Sequence, residues 1–331
     1  GDTLALGVHT LTFLMAPMVH WPEVMVSYDS LDKVVFSADG FGKFGALAHE
    51  EDWACEARRY YFNICGKYGA PVQALLKKLA ALDVAIICPL HGPILTENLS
   101  YYIGLYDCWS RYDVESEGVF IAYASIHGGT AKAAQKLAEV LREKGAAKVA
   151  MSDLTRDDMA EAVEDAFRYG KMVVAASSYD GDVFTPMHCF LHKLGTKGYR
   201  NRRVAIVENG SWAPTAAKVM KKMLENSKEI EFVENVVTVK SALAEENKVQ
   251  LEALASTLIE TECSTLFAEA KTCYEASVLS KTITRLERIN QIDEDYADGQ
   301  PMLLMLKVYK LQGKSEEMNK TYQRILELFP N

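Results

Sequence analysis

Three residues with good metal-donor atoms stand where strand-like runs give way to loops: His20 in PMVHWPE, Asp39 in FSADGFG and His91 in CPLHGPI. Each has a plainer reading alone. His20 before Trp-Pro suits a half-buried histidine bonded to backbone, Asp39-Gly40 is a turn dipeptide, and His91-Gly92-Pro93 reads as a second turn. Together they supply an imidazole, a carboxylate and an imidazole, donors suited to zinc, manganese or iron.

A second chemical stretch is Ser125-Ile126-His127-Gly128-Gly129-Thr130. It offers hydroxyls, glycines that let backbone N–H groups approach a ligand, and the positive end of a helix dipole, which suits a phosphate. The alternative is an ordinary turn in which Thr130 caps the helix. The loop matches neither G-x-G-x-x-G nor G-x-x-x-x-G-K-[ST], so neither a dinucleotide nor a nucleoside-triphosphate fingerprint is present. Two further loops, Ser177-Ser178-Tyr179-Asp180-Gly181-Asp182 and Glu208-Asn209-Gly210-Ser211-Trp212-Ala213, each carry an aromatic residue able to stack on a flat ligand.

The elements that position these loops follow from periodicity. Val119–Tyr123 is an apolar run of the kind buried in a parallel sheet, and Ala131–Lys144 repeats Ala133, Ala134, Leu137, Val140 and Leu141 on one helical face. Further strands are expected at 148–152, 172–176, 204–208 and 231–239, with helices at 156–169, 185–194, 213–225 and 245–260. Five strand–helix units predict a doubly wound parallel sheet of order 2-1-3-4-5, with the ligand at the carboxyl ends of the strands. Before them, residues 3–13 read as strand-like, strands are expected at 10–14, 33–37 and 84–88, and helices at 53–68 and 71–82. After about residue 261 the pattern is helical only.

Composition bounds the partners. The chain has 331 residues, 49% hydrophobic and 24% charged, with a net charge of −9 and a pI near 5.4. An acidic surface speaks against sequence-independent binding to nucleic acid or to anionic membranes. Seven scattered cysteines without a C-x-x-C pair point to reduced thiols in a cytoplasm. No apolar run approaches membrane-spanning length and no signal peptide is evident. The chain begins without methionine in a strand-like segment, as a piece of something longer would.

HWPE, FSADGFG and LDVAIICPLHGPI, with RYYFNICGKYG between them, resemble the second half of the metallo-β-lactamase-like domain of flavodiiron proteins, and the eighteen residues between His20 and Asp39 match that family's spacing. A flavodoxin-like domain follows directly in that family, and the hydroxyl-rich loop at 125–130 resembles the FMN phosphate cradle of flavodoxins. The other two loops resemble the family's S-P-T-Y-N and S-Y-G-W segments, with Ser177 in place of proline and Asp180 in place of asparagine; the extra carboxylate would lower the potential of a reduced flavin.

The resemblance implies three parts: half of an αββα metallo-β-lactamase-like domain at 1–115, a flavodoxin-like FMN domain at 116–260 and a helical tail at 261–331. It implies FMN held by residues 125–130, 177–181 and 209–212, with His20 ligating one iron, Asp39 bridging both and His91 ligating the other. The family's remaining ligands come from an H-x-E-x-D-H motif that this chain does not contain. The activity implied is reduction of dioxygen or nitric oxide by a head-to-tail homodimer, fed by an external rubredoxin-like protein or flavin reductase. No residue is assigned as a general acid or base. The chain is an oxidoreductase in this reading if the missing ligands are supplied elsewhere. The alternatives are an FMN electron carrier with a non-functional metal domain, or an interaction protein. The last rests on residues 306–331, whose Tyr309, Gly313, Met318, Tyr322, Ile325 and Pro330 resemble a tetratricopeptide repeat, with 273–298 as a degenerate repeat before it.

Overall fold

The computed structural model describes residues 1–49 and 52–330. It opens with a five-stranded sheet: β1 (Thr3–Leu6), β2 (His9–Met15), β3 (Met25–Asp29) and β4 (Val34–Phe36), then helices α1 (Trp53–Ile64) and α2 (Gly69–Leu79) before β5 (Ile86–Cys88) and helix α3 (Leu99–Arg111). The strands lie in the order β1-β2-β3-β4-β5, antiparallel except for the last pair. The stretch 3–13 is two strands, because Gly7 at φ +68° turns the chain between them.

Register sorts the side chains of this sheet onto two faces, since cross-strand partners share a face. Leu14 opposite Val26, and the row Thr12, Tyr28, Val35, Ile87, form one face. Val26, Tyr28, Val35 and Ile87 are buried in the main core. The other face carries the row Phe13, Ser27, Phe36, Cys88 and the pairs Leu4–Leu11 and Met15–Met25.

Next come β6 (Ser116–Ala124), α4 (Gly129–Glu143), β7 (Val149–Asp153), α5 (Met159–Arg168), β8 (Tyr169–Tyr179), β9 (Asp182–Val183), α6 (Thr185–Thr196), β10 (Arg202–Asn209), α7 (Ala216–Leu224), β11 (Ile230–Phe232) and β12 (Val237–Val239). The main strands run β7-β6-β8-β10-β11, with β12 also on β10. The β6–β8, β8–β10, β10–β11 and β10–β12 pairings are parallel. This is the predicted 2-1-3-4-5 order of a flavodoxin-like sheet, except that the single strand expected at 231–239 is two short ones. Val119–Ala122 and Met172–Ala176 are fully buried, as central strands covered on both faces require.

Both sheets draw on one apolar core, where Phe62 of α1 stacks on Phe167 of α5 at 4.1 Å between ring centroids. Beside that stack the buried Arg58 guanidinium bridges two carboxylates, Glu115 at 2.6 Å and Glu164 at 2.5 Å, and the Trp109 indole N–H donates to Glu115 at 2.6 Å. A buried cation of this kind costs several kcal/mol unless paired, so these acids and Arg58 require one another.

The described residues form two compact units, 1–131 with 150–242, and 132–149 with 243–331. The second holds α8 (Glu245–Glu275), α9 (Leu279–Ile292), α10 (Gln300–Gln312) and α11 (Ser315–Leu328). The helix expected to end at Glu260 continues to Glu275, because no glycine or proline interrupts it. Leu286, Ile289, Met305 and Val308 make its local core, and each helix packs on the next in sequence. Among the described residues no helix is long and apolar enough to cross a membrane.

Candidate functional site

The three loops singled out above meet at the carboxyl ends of β6, β8 and β10 around a cleft of about 530 Å³. That volume lies within the range of small-molecule and cofactor sites. Ser125, Ile126, His127, Gly129 and Thr130 line it, as do 177–181 and 209–213, so every expected residue is present except Gly128. Gly128 contributes from behind, with φ +85° and its N–H donating to Ser125 Oγ at 3.1 Å. Among the described residues no lysine or arginine lines the cleft, so an anion there would be held by amides, hydroxyls and the start of α4.

Local chemistry explains the shape of each loop. Asp180 and Gly181 both have positive φ, 51° and 74°, and turn the chain so that Tyr179 pairs with Asp182. That is the two-residue hairpin for which Asp-Gly is favoured. Ser178 Oγ accepts from the N–H groups of Thr215 at 2.7 Å and Ala216 at 3.1 Å, capping α7 from another loop. Ser177 Oγ is buried and has no partner, a polar atom available to a ligand. Tyr179 is 47% exposed and Trp212 91% exposed, large aromatic surfaces at the rim of the cleft.

The sequence reading missed a fourth loop. Ser241, just after β12, lines the cleft and is held by Asn209, and its hydroxyl lies 2.7 Å from that of Ser211. Thr215 was missed as well. A Cβ built on Gly129 would sit 2.1 Å from the Ser241 carbonyl oxygen, so only glycine lets the start of α4 approach this loop.

His20, Asp39 and His91 also come together. β2 and β4 run in the same direction across β3, and β5 is parallel to β4. The segments that follow these three strands therefore emerge at one end of the sheet, and each carries one of the three residues. His20 Nε2 lies 3.5 Å from Asp39 Oδ2 and His91 Nε2 lies 3.5 Å from Asp39 Oδ1. The imidazoles thus address different oxygens of one carboxylate, an arrangement suited to a bridging ligand.

Tyr60 of α1, which carries no signal of its own within RYYFNICGKYG, donates its hydroxyl to Asp39 Oδ1 at 3.2 Å. Burial, and then the charge of Asp39, push the Tyr60 hydroxyl well above the usual tyrosine range, so it remains a donor. The same two causes push Cys65 up to about 12, which keeps it a thiol and not a thiolate ligand.

Comparison with known proteins agrees with this architecture. Residues 120–246 match the model of the flavodoxin domain. A diflavin flavoprotein of Synechocystis is 33% identical over 169 residues, covering 49% of this chain and 29% of that protein. The anaerobic nitric oxide reductase flavorubredoxin of Escherichia coli is 25% identical over 238 residues, covering 69% of this chain and 50% of that one. Among solved structures, the rubredoxin oxygen:oxidoreductase of Desulfovibrio gigas superposes with a TM-score of 0.71 at 24% identity, over 78% of this chain and 66% of its own. The chain thus spans half or less of these two curated relatives.

Proposed function

We propose that the chain binds FMN in the cleft at the ends of β6, β8 and β10 and works as part of a flavodiiron-type oxidoreductase acting on dioxygen or nitric oxide. The observation that carries this is a cation-free cleft of about 530 Å³, walled by hydroxyls and by the approach of Gly129 to Ser241, inside a flavodoxin domain. The similarity to a flavorubredoxin and a diflavin flavoprotein supports the wider assignment.

In this reading, Ser125, Thr130 and the amides of 126–130 hold the phosphate, and Tyr179 and Trp212 cover the ring faces. Asn209, Gly210, Ser211, Ser177 and Ser178 line the remaining wall, and Asp180 with Gly181 shapes the rim. Bound there, FMN supplies one- and two-electron redox chemistry between an external donor, a rubredoxin-like protein or a flavin reductase, and the acceptor. The assembly is a head-to-tail homodimer, and the compartment is a reducing cytoplasm, which the seven free cysteines support.

His20, Asp39 and His91 fit a metal site only in part. Each metal position would have one imidazole and one carboxylate oxygen, whereas iron or zinc takes four or more donors. Among the described residues, these three do not complete a diiron centre.

The test is reconstitution with FMN followed by flavin and iron analysis. One FMN per chain, lost in Gly129→Val, is expected. A chain that cannot be loaded with FMN removes this reading and leaves interaction through α8–α11. FMN with no iron under any condition reduces it to an electron carrier.

A further inference from the structure

The chain is acidic, with a net charge of −9, yet one surface of its first unit is basic. A hollow of about 540 Å³ lies between α2, the end of α3 and the loop before β10. Lys77, Arg111 and Arg200 line it, with no carboxylate among the described lining residues. It stands at the end of the parallel sheet away from the FMN cleft, because Tyr112 and Arg200 precede β6 and β10 whereas the cleft follows those strands.

The three cations are held differently. Arg111 is neutralised by Asp107 at 3.0 Å and Asp113 at 2.9 Å. The Arg200 guanidinium sits 4.0 Å from the centre of the Tyr112 ring, and its Nε donates to the Gly198 carbonyl at 2.9 Å. These contacts fix the guanidinium but leave its two Nη groups without a carboxylate partner among the described residues. The Lys77 ammonium has no ion-pair partner among them either. A fixed, unpaired guanidinium fork is the group that grips a planar or tetrahedral oxyanion in two-pronged fashion, with lysine as a point charge beside it. More cations crowd the neighbouring surface. Lys67 follows Gly66, whose carbonyl accepts the Tyr112 hydroxyl at 2.8 Å, and burial, then the charges of Lys193 and Lys67, hold Lys197 below the ordinary lysine range. A concave surface with such a field concentrates anions.

We propose that this hollow binds a small organic anion with two or more phosphate or carboxylate groups, one held by the Arg200 fork and another by Lys77. The volume suits a ligand of that size. The site depends on neither the flavin nor the metal reading.

The test is calorimetric titration with pyrophosphate and with citrate at low ionic strength, on the full chain with and without FMN. At least one probe should bind with Kd of about 1 mM or tighter, and the tighter one tells a phosphate ligand from a carboxylate one. Arg200→Gln and Lys77→Gln should each weaken binding about tenfold, Arg200→Lys should recover only part of the loss, and Lys222→Gln on the exposed side of α7 should change nothing. Lys77 is exposed, so its variant tests the site even where Arg200→Gln, which loses the Tyr112 contact, fails to fold. The proposal is overturned if neither probe binds. It is overturned too if Lys222→Gln costs as much as Lys77→Gln, the mark of diffuse screening, or if FMN displaces a probe that both substitutions leave bound, which puts that probe in the flavin cleft.

Discussion

Asn209 holds Ser241 by both ends of its amide: Oδ1 accepts the Ser241 N–H at 2.9 Å and Nδ2 donates to the Ser241 carbonyl at 3.1 Å. This double bond pins the loop after β12 against the end of β10, and so sets one wall of the cleft. Asn209→Ala removes both contacts, worth about 1 kcal/mol each. FMN affinity in an equilibrium titration should fall by up to about thirtyfold, the factor that about 2 kcal/mol corresponds to. An unchanged dissociation constant would show that the Ser241 loop does not shape the flavin site.

Gly129 presses on the same carbonyl from the other side. Even Gly129→Ala places a methyl 2.1 Å from Ser241 O, so the backbone of one loop must move. The expected result is a folded protein with at least tenfold weaker FMN binding, whereas Gly128→Ala, where a Cβ meets nothing within 4 Å, should lose less. Because Gly128 has φ +85°, its alanine variant still carries a strain of about 1 kcal/mol. Equal losses in the two variants would refute the close-approach argument.

Much of this site was legible in the sequence, and the reasons differ by residue. The turn at Asp180-Gly181 announces itself because few dipeptides tolerate two positive φ angles. The loop at 125–130 is framed by a strand and a helix of unmistakable period. Ser241 gives no such signal, because it reaches the cleft only through the pairing of β12 with β10. Tyr60 is equally silent: in RYYFNICGKYG a tyrosine that orients Asp39 looks the same as the core tyrosine beside it. The helix α3 is hidden too, since LSYYIGLYDCWSR is rich in aromatics with weak helix preference, and its fold is decided by Tyr106 and Trp109 packing in the core. The open face of the first sheet escapes a linear reading because β2 turns its more apolar set, Leu11, Phe13 and Met15, away from the core and sets Thr10, Thr12 and Leu14 on the core side.

Tyr60 offers a prediction independent of any metal. Tyr60→Phe keeps the ring and deletes the hydroxyl that donates to Asp39, a charge-assisted bond. Urea unfolding should shift by about 1–2 kcal/mol toward instability. A neutral substitution would mean that Asp39 finds water as good a partner.

The Arg58 cluster makes stability depend on pH. Burial raises the Glu164 carboxyl to about 7 against the pull of Arg58, far above the ordinary value of 4.5. Between those two pH values the folded chain holds a proton that the unfolded chain has released. The stabilisation from this group is therefore complete below about 4.5 and is lost as the pH rises through about 7. Glu164→Gln cannot titrate there. Thermal unfolding from pH 5 to 8 should show wild type losing Tm relative to Glu164→Gln, while Arg58→Leu, which strands two buried acids, should cost about 3–5 kcal/mol near neutral pH and recover part of it in acid. Parallel Tm curves for wild type and Glu164→Gln would mean that Arg58 holds Glu164 ionised throughout.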